Sequence, residues 1–218
     1  MNPRALTGSL IAVGLIAAAL FGSAGRIDIP AFWAYVAAIA AVTVIGLLVL
    51  DPDLVQERMR PGGQPLPAGY WLLGLLPLAH WIMAGLDRGR LHWSDTVPVS
   101  VTLIGLAVFV LAQAVILWAM HVNRFFSSVV RIQSERGHHV ITTGPYRWVR
   151  HPGYAAALLM ILASGLALGS WAATVISLVG VPLLLVRIHN EEAVLQRDLP
   201  GYADYAWQVP YRLLPLIW

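Results

Sequence analysis

Five stretches of the chain run for twenty residues or more without a charged side chain: 5–25, 29–50, 67–86, 96–122 and 153–186. A hydrocarbon layer of about 30 Å takes roughly 20 helical residues to cross. Each stretch therefore predicts at least one membrane span. At about 1.5 Å per residue, a single helix over 153–186 would be roughly 50 Å long, too long for one crossing. The pattern predicts that it folds back at Gly169-Ser170, beside the interfacial Trp171. This gives an all-α bundle of about six spans, the last two forming a helical hairpin. Small residues line both arms, among them Gly153, Ala156, Ala163 and Gly165 on the first and Ala173, Ser177 and Gly180 on the second. In lipid, such residues allow the close backbone approach that holds helices together.

The polar positions between these runs set the expected organisation. Residues 1–122 are read as N-terminal spans, and residues 123–218, which include the hairpin 153–186, as the region that carries chemistry. If the N-terminus is cytoplasmic, eleven arginines (Arg4, Arg58, Arg60, Arg124, Arg131, Arg136, Arg147, Arg150, Arg187, Arg197 and Arg212) fall on that side and three (Arg26, Arg88 and Arg90) on the other. That asymmetry places both termini and both charged loops in the cytoplasm. Arg4, the apolar run from Leu6 to Phe21 and the small residues Gly22, Ser23 and Ala24 also imitate a secretory leader. The stretch is read here as a first span.

Composition agrees, since 58% of the 218 residues are hydrophobic and 11% charged, too few to cover a water-soluble globule. The absence of cysteine excludes disulfides, thiolate metal sites and a cysteine nucleophile. All fourteen basic residues are arginine, which reads as GC-rich codon usage and points to a bacterial cytoplasmic membrane. They are spread through short loops rather than gathered on one face, so nucleic acid is not an expected partner. No obligatory protein partner is inferred.

Two loops are read as interfacial structure. Asp51, Asp53, Glu57, Arg58 and Arg60 are expected to pair along a short helix, and Asp87 to Asp95 to form a second polar connector. His80 and Gln113 lie inside apolar stretches and are expected to bond between helices. The C-terminal part differs. A hairpin whose arms begin and end on one side brings the island 121–151 against the island 187–204. His138, His139, Tyr146, Arg147, Arg150, His151 and Tyr154 would then face Arg187, Glu191 and Glu192.

Here the ordered segments Gly144-Pro145-Tyr146-Arg147-Trp148-Val149-Arg150-His151-Pro152-Gly153-Tyr154, Glu191-Glu192, Gly201-Tyr202-Ala203-Asp204-Tyr205 and Val209-Pro210-Tyr211-Arg212-Leu213-Leu214-Pro215 resemble the isoprenylcysteine carboxyl methyltransferase and phospholipid methyltransferase superfamily. The resemblance covers about the last ninety residues. It implies S-adenosylmethionine as cofactor, held by Gln133, His138 (or its neighbour His139), Gly144, Tyr146, Arg150, His151, Pro152, Tyr154, Glu191 and Glu192. It implies methyl transfer to a lipophilic acceptor: a prenylcysteine-like carboxylate, a phospholipid amine or a small amphiphile. Glu191 or Glu192 would serve as base where the acceptor is a protonated amine, and Arg187 or Arg212 would steer an anionic acceptor. The cofactor's carboxylate, ammonium, ribose hydroxyls and flat adenine need donors, acceptors and an apolar face, all of which these residues offer.

A membrane reductase of the sterol type, binding a nicotinamide dinucleotide, shares an Arg-x-Pro-x-Tyr turn. Gly153 in place of asparagine, and the paired glutamates, fit the methyltransferases better. No compact metal-ligand spacing is present, so no metal is expected. A scaffold or transporter would tolerate substitution in the charged islands.

Overall fold

A computed structural model describes residues 3–63 and 70–218. The start of the predicted third stretch, 67–69, lies outside the described residues. The described residues contain helices and no strand. Among the described residues, nine α-helices follow in chain order: α1 (Pro3–Ala24), α2 (Pro30–Val49), α3 (Pro52–Met59), α4 (Tyr70–Leu86), α5 (Val99–Val122), α6 (Pro152–Ala167), α7 (Trp171–Leu178), α8 (Gly180–Asp198) and α9 (Tyr202–Gln208).

Local sequence explains many of the boundaries. Pro30, Pro52 and Pro152 stand in the first turns of α2, α3 and α6, where the missing N–H costs nothing. The Asp51 carboxylate caps α3 by accepting from Asp53 N–H at 2.8 Å. Ser170 caps α7 through Ala173 N–H at 3.1 Å. Between α6 and α7 the chain reverses through Leu168, Gly169 and Ser170, with Gly169 at a φ of 73° that favours glycine.

Among the described residues, four helical segments are long and apolar enough to cross a membrane, namely Ala5–Ala24, Pro30–Val49, Val99–Val122 and the continuous α7–α8 segment Trp171–Asp198. α6 is apolar but shorter. Their outer faces carry exposed Leu15, Leu48, Leu103, Leu111, Val175 and Leu183. Apolar surface on this scale is stable only against lipid, and the chain is an integral membrane protein.

The inner faces meet around Leu20, Phe32, Tyr35, Phe109, Ala163, Ala167 and Leu168. Tyr35 stacks on Phe109 with ring centroids 4.4 Å apart. Contact between α6 and α7 is backbone-close, because a Cβ on Gly165 would lie 2.3 Å from Thr174 N. No larger residue fits there without parting the helices.

Buried polar groups pin the bundle at two levels. Asp87, fully buried, accepts from Ser94 N–H (2.8 Å), Ser94 Oγ (2.7 Å) and Ser170 Oγ (2.5 Å). It thereby ties the end of α4 to the α6–α7 turn. Deeper in the bundle, His80 bonds Ala173 O (2.9 Å) and Ser164 Oγ (2.8 Å), and Ser164 Oγ meets Tyr35 OH at 2.7 Å.

Candidate functional site

The two polar islands meet where α6 begins and α8 ends, and Glu192 is the centre of their contact. Its side chain is 3% exposed. Arg150 Nε and Nη2 donate to its two oxygens at 2.8 Å each. His151 Nε2 (2.8 Å), Tyr202 OH (2.6 Å) and Arg212 Nε (3.2 Å) complete the shell. Burying a carboxylate is costly unless such partners replace its water.

The same network seats the C-terminal segment. Arg150 Nη1 donates to Val209 O at 2.7 Å, and the N–H groups of Arg150 and His151 donate to Tyr211 O and Arg212 O at 2.9 Å. Tyr205 OH donates to Tyr146 O at 2.7 Å. The sequence segments around Arg150, Glu192, Tyr202 and Arg212 are thus parts of one buried assembly.

Glu191 has a different environment although it is the next residue. Its side chain is 26% exposed and borders a cleft enclosing about 820 Å³, including its open mouth. Tyr154 OH donates to Glu191 Oε2 at 2.5 Å and accepts from Arg187 Nε at 2.7 Å. His138, Tyr146, Arg150, His151 and Tyr154 also border the cleft, with Phe125, Val140, Ile141, Leu195 and Leu199 as its apolar lining.

His138 stacks on Phe125 with ring centroids 4.5 Å apart. Its Nδ1 accepts from Gln133 N–H at 3.2 Å, so the neutral ring carries its proton on Nε2 and presents that as a donor. Desolvation, then the nearby His139, Arg131 and Arg136, push its pKa down to about 4. The folded protein therefore disfavours protonation that the unfolded chain accepts near pH 6.5. The stability linked to a neutral His138 is complete above that pH and is lost as pH falls toward 4. Thermal melts from pH 7 to 4 are expected to fall less steeply for His138→Gln than for the wild-type protein.

Other residues expected at the site take supporting places. Gln133 is fully buried. Its Nε2 donates to Phe125 O at 2.7 Å and its Oε1 accepts from Arg136, so it holds the ring pair from behind. Gly144, at a φ of 58°, packs against Val122, which a Cβ would approach to 2.8 Å. Pro152 is buried at the start of α6. Gly153 admits Phe126, whose ring carbon would lie 2.5 Å from a Cβ there.

The expectation that α3 pairs its own charges is corrected. Glu57 is bound by Arg131 (3.0 and 2.8 Å), Ser127 Oγ (3.0 Å) and Gly62 N–H (3.0 Å). Asp53 is bound by Arg136 (2.6 Å) and Arg124 (3.3 Å). Burial opposes the ionised form of Glu57, but Arg131, Gly62 and Ser127 outweigh it and hold its pKa below the ordinary range. These acids clamp the segment 124–136, which forms one wall of the cleft. The signal in the sequence was an acidic helix opposite an arginine-rich loop. Glu57→Gln is expected to weaken ligand binding in the cleft about tenfold, since it degrades charge-assisted hydrogen bonds worth about 1.5–3 kcal/mol. Titration would show it, and limited proteolysis would show faster cutting within 124–136.

A second cavity, about 2060 Å³ with its openings, lies among α2, α4, α5, α6 and α8. Ile39, Leu76, Met160, Ile161, Leu183 and Leu184 give it an apolar lining. Val130 borders both this cavity and the first cleft. Arg187 borders the apolar cavity while bonding Tyr154 of the cleft.

Residues 103–197 match the model of the isoprenylcysteine carboxyl methyltransferase (ICMT) family. The protein-S-isoprenylcysteine O-methyltransferase of Schizosaccharomyces pombe is 34% identical over 94 residues, covering 42% of this chain and 39% of that protein. The cobalt-zinc-cadmium resistance protein CzcN of Cupriavidus metallidurans is 29% identical over 133 residues, covering 60% and 57%. The chain thus spans somewhat over half the length of several curated relatives. A solved structure of the eukaryotic intramembrane Ras methyltransferase ICMT aligns over 98% of this chain and 77% of that one, with a TM-score of 0.55 at 16% identity. The shared fold therefore extends beyond the matched region.

Proposed function

Because residues 103–197 match the ICMT family model, we propose that the protein is an S-adenosylmethionine-dependent membrane methyltransferase whose acceptor is a lipophilic molecule. The observation that carries the reading is that two unlike spaces, a polar cleft and an apolar membrane cavity, lie side by side and share Val130 in their linings. A polar cofactor and an apolar acceptor need that arrangement to meet away from bulk water.

The donor set of the cleft fits the cofactor. His138 Nε2–H would donate to its carboxylate. Glu191, with Oε2 held by Tyr154, would accept from its ammonium or ribose hydroxyls through Oε1. Phe125, Val140, Ile141 and the ring of Tyr146 would line its adenine. When bound, S-adenosylmethionine supplies a methyl group on a sulfonium, open to in-line displacement.

This chain's own residues would then do three things. Arg150, His151, Tyr202 and Arg212 hold Glu192 and fix the cleft wall, so Glu192 acts as an organiser and not as a base. Arg187, oriented by Tyr154 OH and by Ser128 O at 2.7 Å, would align an anionic acceptor. Glu191 would take the proton from an amine acceptor, whereas a carboxylate or thiolate needs no base. In the membrane we assign about six spans, with both termini and the cleft cytoplasmic, from the eleven-to-three arginine asymmetry.

Gly153 also favours this reading over a reductase, since the asparagine expected there would have to displace Phe126. Isothermal titration of the full chain in nanodiscs tests the choice. S-adenosylmethionine is expected to bind and NADPH not to; the reverse result would overturn the proposal.

A further inference from the structure

The segment 213–218 turns apolar side chains away from the protein. Leu213 is buried, but Leu216 is 85% and Ile217 77% exposed, and Leu214 and Trp218 are exposed as well. These four belong to a loop closed on itself. The N–H groups of Leu213 and Leu214 donate to Trp218 O at 2.8 and 3.2 Å, and those of Ile217 and Trp218 donate to Leu214 O at 3.2 Å each. Pro215 has no N–H to satisfy. The loop therefore pairs most of its backbone donors internally and presents hydrocarbon outward. An apolar medium requires that combination, and water penalises it.

Leu216 adds a second sign. Its φ is 68°, in the left-handed region that a leucine enters at a cost and that glycine or asparagine enters more readily. A strained position that carries a large, almost fully exposed apolar side chain points to a use for that side chain outside the chain's own packing.

Direction, level and charge place the loop at the bilayer. Arg150 and His151 N–H bond Tyr211 O and Arg212 O in that order, so 211–212 runs beside 150–151 in the same sense. From His151 the chain enters the apolar helix α6 at Pro152, and the neighbouring segment heads toward the bundle with it. Trp148, two residues before Arg150, sets its ring edge-on to Trp118 with centroids 5.8 Å apart. Trp118 is exposed near the cleft end of α5, a helix long and apolar enough to cross a membrane, and tryptophans at such ends occupy the headgroup level. Exposed Arg147 lies over the Trp148 ring at 5.5 Å, and Arg212 over that of Trp218 at 5.3 Å. No acid stands between Tyr205 and Trp218, which suits anionic headgroups.

We infer that the loop 213–218 is a membrane-interface anchor whose partner is the lipid surface at the cleft end of the bundle. Leu214, Leu216, Ile217 and Trp218 are its contacts, seated roughly 5–10 Å into the headgroup–acyl boundary. The anchor braces Arg212, which donates to Glu192, between the bilayer and the buried network. It does so whichever reaction the cleft carries out.

The test uses the absence of cysteine from the chain. A nitroxide is attached at Leu214→Cys or Ile217→Cys in the full chain, in nanodiscs of equal parts phosphatidylcholine and phosphatidylglycerol. Leu111→Cys, on the outer face of α5, is the lipid reference, and Arg197→Cys, at an exposed polar position, the water reference. Collisions with oxygen, which concentrates in lipid, and with a water-soluble nickel chelate are read by power saturation. The oxygen-to-nickel ratio at both loop positions is expected to lie several-fold above the water reference. Adding Leu216→Asn to Ile217→Cys relieves the backbone and removes the most exposed of the four contacts. The ratio is then expected to fall toward the water reference with no loss of melting temperature. Ratios at the water reference in both loop positions would overturn the inference. So would poor access to both reagents, which would seat the loop against protein, a second copy of the chain included, and so would a ratio that Leu216→Asn leaves unchanged.

Discussion

Replacing Glu192 with alanine is expected to cost about 3–5 kcal/mol of stability, the penalty of leaving buried cations without their counter-ion, and to abolish cofactor binding. Arg150 and His151, both nearly inaccessible, would face an empty site, and Tyr202 and Arg212 would lose their acceptor. The tail 209–215 hangs on the same residues through Arg150 Nη1 and the backbone of Arg150 and His151, so its docking should loosen as well. For a chain of this size the melting temperature would fall by roughly 10 °C. The double variant Arg150→Met/Glu192→Met makes the assignment specific. Removing both partners of a buried pair leaves no uncompensated charge between them and is expected to recover part of the stability. It should not recover binding, because the wall of the cleft would no longer be set.

The adjacent residue predicts the opposite pattern. Glu191→Gln is expected to leave the melting temperature within about a degree of wild type, as for other partly exposed positions. It should weaken S-adenosylhomocysteine binding by about 10- to 100-fold, the worth of a charge-assisted hydrogen bond. Tyr154→Phe should reproduce a smaller loss, because it frees Glu191 Oε2 and Arg187 Nε from the hydroxyl that orients both. If Glu191→Gln destabilised the fold as Glu192→Ala does, the division between a ligand-facing and an organising carboxylate would fail.

That division marks the boundary of what was legible in the sequence. The apolar runs announce helices because lipid demands length and uniformity, and α2 (Pro30–Val49) and α5 (Val99–Val122) lie within the runs that predict them. The meeting of the islands around His151 and Glu191 also follows from chain reversal alone. Which glutamate faces the cleft does not, since consecutive helical residues diverge by about 100° and composition carries no phase. Glu57 was misread for a related reason. Short-range pairing is the default for charges three or four apart, and nothing local signals that Arg131, seventy-four residues later, competes for the same carboxylate. Gln113 looked like an interhelical bond because most neutral intramembrane residues are one. Only the surrounding geometry shows that its amide nitrogen is buried without a partner among the described residues.

Methyl transfer to lipid tests the account most directly. The purified full chain in proteoliposomes, incubated with methyl-labelled S-adenosylmethionine and a total membrane lipid extract, is predicted to place label in an organic-soluble product, and Glu191→Gln to reduce that label sharply. No label in the organic phase with a wild-type protein shown to bind the cofactor would contradict a lipophilic acceptor, and label appearing only in water-soluble material would contradict the membrane cavity as its site.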